Sequence, residues 1–103
     1  SSTIESEPLA LCDGRTIPTK GFIRNQRRYR GRTAETYHIS HHSSHRWYYF
    51  PKMEPAEVLV FKVFDTDKNV GVKFTAHTAF DDPSSTKDSL PRQSIEMRAL
   101  VFF

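Results

Sequence analysis

The sequence predicts a mainly β fold of antiparallel strands, and three observations predict it. Runs rich in β-branched and aromatic residues have strand length, such as Val58–Phe64 and Val72–Phe80. Polar or Gly- and Pro-containing clusters separate them, as at Asp65–Asn69 and Asp81–Ser89. The last ten residues alternate, with Ile95, Met97, Ala99, Val101 and Phe103 at every second position. About five short strands with little or no helix suit a sandwich or an open barrel.

Taken in order, residues 1–33 keep neither period and are punctuated by Pro8, Gly14, Pro18, Gly21 and Gly31. They are read as an extended N-terminal loop region, in which the apolar patch Pro8–Asp13 packs on the body. Residues 34–103 form the folded part. Thr36, Tyr37 and Ile39 mark a strand, His41–Ser44 a turn, and Arg46–Phe50 an aromatic strand stopped by Pro51, together a hairpin. Between Glu54 and Asp65 the spacing of Met53, Val58 and Phe61 is roughly helical, but the density of Val and Phe favours a buried strand over Val58–Phe64. Val72–Phe80 and Ser94–Phe103 supply two more strands. There is no internal repeat and no low-complexity tract.

A chain of 103 residues holds one domain at most, near the small end of what one core can stabilise. Its 37% hydrophobic and 26% charged content is that of an ordinary globular domain. No apolar run approaches the ~18 residues of a membrane span. The N-terminus has no basic region followed by an apolar one, and one cysteine, Cys12, cannot form an internal disulfide. A reducing, cytoplasmic location is therefore expected. The first residue is Ser, as expected of a fragment or a processed product. The net charge of +3 concentrates in Arg24–Arg32. Without a groove-reading element this run reads as a solvated loop whose arginines meet carboxylates, not as a nucleic-acid site.

Five histidines are candidate ligands: His38, His41, His42, His45 and His77. The first four cluster, but His41 and His42 are adjacent on a turn and nothing completes a tetrahedral zinc set. They read as a polar hairpin end. His77 lies mid-strand in Thr75–Phe80, where a hydrogen-bonded buried histidine is the simplest reading. Fifteen positions later Arg92-Gln93-Ser94 opens the last strand. Residues two apart share a face, so Arg92 and Ser94 can offer a guanidinium and a hydroxyl to one ligand. A guanidinium forks onto a carboxylate with two hydrogen bonds. A metal ligand and a carboxylate binder would then sit on neighbouring strands.

Six stretches, in this order and spacing, carry a resemblance: Pro8–Asp13, Thr33–Tyr37, His45–Phe50, Glu57–Asp65, Ala76–Pro83 and Pro91–Arg98. With them the chain resembles the C-terminal part of the fungal AsaB-type hydroxylase/desaturase family, gibberellin-desaturase-like and CmcJ-like non-haem Fe(II)/2-oxoglutarate-dependent oxygenases. The resemblance implies part of a double-stranded β-helix, or jelly roll, over residues 34–103. It implies Fe(II) held by two histidines and a carboxylate. His77 matches the distal histidine, and Arg92 and Ser94 the Arg-x-Ser pair that grips the far carboxylate of 2-oxoglutarate. Gln93 stands where the family usually has Glu, at a position facing away from the site. The family's first two ligands come as His-x-Asp. Here the residues two beyond each histidine are Ser40, Ser43, Ser44, Trp47 and Ala79. The chain alone is therefore expected to be inactive, with weak or no co-substrate binding.

The substrate implied is a small secondary metabolite, with hydroxylation, desaturation or epoxidation as the outcome. A non-catalytic partner that pairs with another oxygenase chain is the second reading, and a small basic β-domain that binds nucleic acid the third. A half jelly roll leaves strand edges and an apolar face exposed, so self-association is expected.

Overall fold

The computed structural model describes residues 3–103. Its elements are strands β1 (Leu9–Cys12), β2 (Phe22–Tyr29), β3 (Arg32–Ile39), β4 (Trp47–Tyr49) and β5 (His77–Ala79), with short 3-10 turns at Gly14–Thr16 and Thr19–Gly21. The architecture is mainly β and every pairing is antiparallel. That is compatible with part of a jelly roll; no barrel closes among the described residues. No helix among them is long and apolar enough to cross a membrane.

The site-bearing sheet has the order β4-β1-β5. Its centre is β1, the apolar patch at Pro8–Asp13, which therefore does more than rest on the body. Along β1 burial alternates: Ala10 and Cys12 are buried, Leu9 and Leu11 half-buried. The pairing continues past the strand ends, where the Cys12 N–H donates to the Ala76 carbonyl and the Asp13 N–H to the Arg46 carbonyl, both at 2.9 Å. On the Ala10 face, Tyr49 meets Phe80 edge-on at 4.9 Å.

The second sheet is the hairpin β2-β3, in register from Phe22↔Ile39 to Tyr29↔Arg32. Its two-residue connection, Arg30-Gly31, has Gly31 at φ 82°, the left-handed position that glycine takes without cost. Near the base, Phe22 and Tyr37 pack with Phe74 at centroid distances of 5.3 to 6.2 Å. Toward the tip both faces are open to solvent, and Glu35 takes hydrogen bonds from Arg24 at 3.1 Å and Gln26 at 3.3 Å.

Several expectations need correction. Residues 9–12 and 22–29, expected as loop, are strands. A charged ribbon exposed on both faces has no hydrophobic alternation to announce it; cross-strand pairing alone defines it. The hairpin expected between residues 34–39 and 46–50 does not form: β3 pairs with β2, and β4 with β1. The buried strand expected at Val58–Phe64 is irregular, with Val58 82% and Val60 85% exposed. The strand expected over Val72–Phe80 is confined to His77–Ala79, and Ser94–Phe103 carries none. The shared reason is pairing. A strand exists only with a hydrogen-bonded neighbour, and nothing among the described residues supplies one to these stretches.

Candidate functional site

His77 opens β5 and pairs with Leu11 on β1. Its Nδ1 lies 2.8 Å from the Thr75 carbonyl oxygen. A carbonyl can only accept, so Nδ1 carries the proton and donates, leaving the Nε2 lone pair free. This is the tautomer a metal-binding imidazole needs, and the Thr75 carbonyl supplies the outer hydrogen bond that fixes such a ring. The Phe61 ring flanks it, with centroids 4.7 Å apart. His77 is exposed, not the buried histidine of the simplest sequence reading.

Arg92 is half-buried and Ser94 exposed, on a stretch without regular pairing. Neither side chain takes part in an ion pair among the described residues. In the order β4-β1-β5, β5 is an edge strand, and its outer edge has no strand partner among the described residues. Its one hydrogen-bonded neighbour is β1, so the expected neighbouring strand from Ser94 onward is not formed there. As for iron, His77 fits as a single ligand. No group of three or more His, Cys, Asp or Glu among the described residues could hold a metal.

The other histidines lie elsewhere. His38 is on the hairpin, its Nε2 3.4 Å from the Asn25 amide. His41 and His42 ring centroids lie 6.5 and 6.3 Å from that of His45. The Ser44 N–H donates to His42 Nδ1 at 3.0 Å, so that nitrogen is already an acceptor in use. His45 Nε2 is buried without a partner among the described residues.

A feature the sequence did not announce ties β1 to β4. Asp13 accepts from the Arg15 backbone N–H at 3.0 Å and from its guanidinium at 3.0 and 2.8 Å. Those bonds, the side-chain ones foremost, hold the Asp13 carboxyl below the ordinary aspartate range. Thr16 Oγ1 donates to the Asp13 carbonyl at 2.6 Å and accepts from the Arg46 N–H at 3.0 Å. The cavity beside it, about 720 Å³, is lined by Arg15, Ser44 and His45 among others, and by none of His77, Arg92 or Ser94. With Arg15 satisfied by Asp13, this region fastens the sheet.

The register also shows what shares a face with His77. Leu11 is opposite His77 on one side and opposite Tyr48 on the other, so Tyr48, Leu11 and His77 form one row across the sheet. Tyr49 and Thr78 belong to the opposite face.

Comparison with known proteins places the site in context. Residues 1–102 match the family described as Oxidoreductase/YMDC permease-like domain. The chain is 36% identical to Aspirochlorine biosynthesis protein N of Aspergillus oryzae, over 97% of this chain and 43% of that protein. It is 37% identical to the Fe(II)/2-oxoglutarate-dependent dioxygenase nvfI of Aspergillus novofumigatus, over 92% of this chain and 34% of that one. It is 30% identical to the hydroxylase/desaturase asaB of Aspergillus flavus, over 97% and 50%. The chain thus spans a third to a half of the length of these curated relatives. No solved structure matches.

Proposed function

This chain belongs to the Oxidoreductase/YMDC permease-like domain family, among the fungal hydroxylase/desaturases and Fe(II)/2-oxoglutarate-dependent dioxygenases, and from that premise we propose that it is the C-terminal portion of such an oxygenase. His77 is its one iron ligand, and Arg92 and Ser94 its grip on 2-oxoglutarate. The other histidine and the carboxylate come from polypeptide outside these residues. The observation that carries the reading is His77 itself, an exposed imidazole with Nδ1–H committed to the Thr75 carbonyl and Nε2 free. Arg92 makes no ion pair among the described residues, which agrees with a role toward a carboxylate. When bound, the metal supplies oxygen activation; this segment contributes ligation at Nε2 and carboxylate binding. The substrate class is a small secondary metabolite, and the site needs either the rest of its own polypeptide or another oxygenase chain.

The test compares two preparations. Given Fe(II), ascorbate and labelled 2-oxoglutarate, the 103-residue chain should release no metal-dependent carbon dioxide, because the facial triad needs three ligands. In the intact oxygenase that contains the segment, His77→Ala should abolish iron retention and turnover. There Arg92→Gln should weaken 2-oxoglutarate roughly 10- to 100-fold by removing a charged fork. Full iron retention in His77→Ala, or metal-dependent release by the chain alone, would overturn the reading.

A further inference from the structure

We propose that the outer edge of β2 is an interaction surface that takes an extended acidic segment of a partner protein as an added strand. Two sets of unmet groups on the hairpin carry it. The first is charge. The arginines of Arg24–Arg32 were expected to meet carboxylates, and Arg24 does, on Glu35. Arg27, Arg28, Arg30 and Arg32 are exposed and make no ion pair among the described residues. Arg32 lies instead over the Tyr29 ring, 4.7 Å from its centroid. Glu35 is the only carboxylate in either strand.

The second set is backbone. Opposed residues of an antiparallel pair alternate between those that exchange hydrogen bonds and those that do not. The Ser40 N–H donates to the Gly21 carbonyl at 2.9 Å, which sets the phase at the hairpin base. Ile23↔His38, Asn25↔Thr36, Arg27↔Ala34 and Tyr29↔Arg32 are then the bonded pairs. The N–H and C=O groups of Arg24, Gln26 and Arg28 point outward, and no backbone group meets them among the described residues.

An added strand satisfies both sets. Its backbone pairs with Arg24, Gln26 and Arg28. Successive side chains of a strand take opposite faces, so adjacent carboxylates meet Arg28 on one face and Arg27 on the other. The outer edge of β3 has the same open backbone but carries Glu35, which repels an acidic strand. The tip, Arg30-Gly31, has no apolar side chain to insert into a membrane. A nucleic acid offers phosphates but no strand backbone for the open edge.

The test is equilibrium dialysis against the 103-residue chain, which reads binding whatever the state of association. The probes are a labelled peptide of about ten glutamate and threonine residues, the same peptide N-methylated throughout, and duplex DNA. The plain peptide should bind, and more weakly as salt is raised. N-methylation keeps the carboxylates and removes the strand hydrogen bonds, so it should weaken binding roughly tenfold or more. Arg27→Gln with Arg28→Gln should weaken the plain peptide roughly 2- to 25-fold, and Arg98→Gln, away from the hairpin, should not. The N-methyl comparison leaves the protein unaltered, so it decides even where a substitution disturbs the hairpin. Equal binding of the two peptides would reduce the surface to a patch of charge, and tighter binding of duplex DNA would assign it to nucleic acid. Either result, or no binding of the plain peptide, overturns the proposal.

Discussion

At the scale of single residues, Asp13 is a heavily bonded carboxylate away from the site. Asp13 takes three hydrogen bonds from Arg15, which hold its carboxyl below the ordinary aspartate range, and its backbone joins both Thr16 and Arg46. A carboxyl lowered on folding stabilises the fold above its unfolded value and loses that contribution as the pH falls through its folded value. Asp13→Asn should therefore lower the urea midpoint at neutral pH. The gap between variant and wild type should close as the pH drops below the ordinary aspartate range. A gap that stays constant into strong acid would assign the loss to packing instead of charge. Asp65 and Asp82 are lowered in the same direction, Asp65 chiefly by the Asp67 N–H and Asp82 by the Ser84 hydroxyl. Acid should accordingly loosen several turns together.

At the scale of elements, two glycines mark where the backbone leaves no freedom. Gly31 holds φ 82° in the hairpin turn, so Gly31→Ala should cost about 1 kcal/mol of stability, localised to β2 and β3. Amide exchange should register it in the hairpin and leave β1 untouched. Gly14 is different: a Cβ there would run into the Val72 side chain. Gly14→Ala should destabilise by about 1–3 kcal/mol through overpacking. Val72→Ala should largely rescue it, because the two positions share one contact and their effects cannot add. Purely additive losses would mean that the clash is relieved elsewhere. Both substitutions lie outside the His77 row, so they separate scaffold effects from site effects.

For the whole molecule, the dominant fact is how much apolar surface stays uncovered. The radius of gyration is 15.9 Å; a compact domain of this length has about 13 Å. The accessible area is 9283 Å², against about 6,000 Å² for a compact monomer of this mass. The buried apolar core comprises Ala10, Cys12 and Ile17, while Ile95 is 98%, Met97 89% and Phe102 87% exposed. So few buried side chains among the described residues supply only a small part of the burial that stabilises a domain. The alternating apolar positions Ile95, Met97, Val101 and Phe103 are exposed and lie in a stretch without strand pairing among the described residues, and such apolar surface associates. Sedimentation of the isolated chain should give oligomers or aggregates. Replacing Ile95 and Met97 by Lys should shift the population toward monomer. A stable monomer across the concentration range would remove the basis for expecting a covering partner.

The sequence by itself determined the class of fold, the strand identity of residues 36–39 and 47–49, and the family, through the six stretches from Pro8 to Arg98. Those are local or ordered signals: β-branched and aromatic runs, turn residues, and motif spacing. It also singled out His77, because an imidazole between apolar neighbours is unusual enough to notice. Only the tertiary structure decided which strand meets which. It made β1 the centre of the sheet, gave β3 the arginine-rich β2 as its partner, and left residues 58–64 and 94–103 without one. It also fixed the His77 tautomer and brought Tyr48 and Leu11 into the same row. Strand pairing is a long-range choice settled by hydrogen bonds between distant segments, so no window along the chain encodes it. The same holds for the stretch that carries Arg92 and Ser94: without a paired neighbour among the described residues it has no register to read.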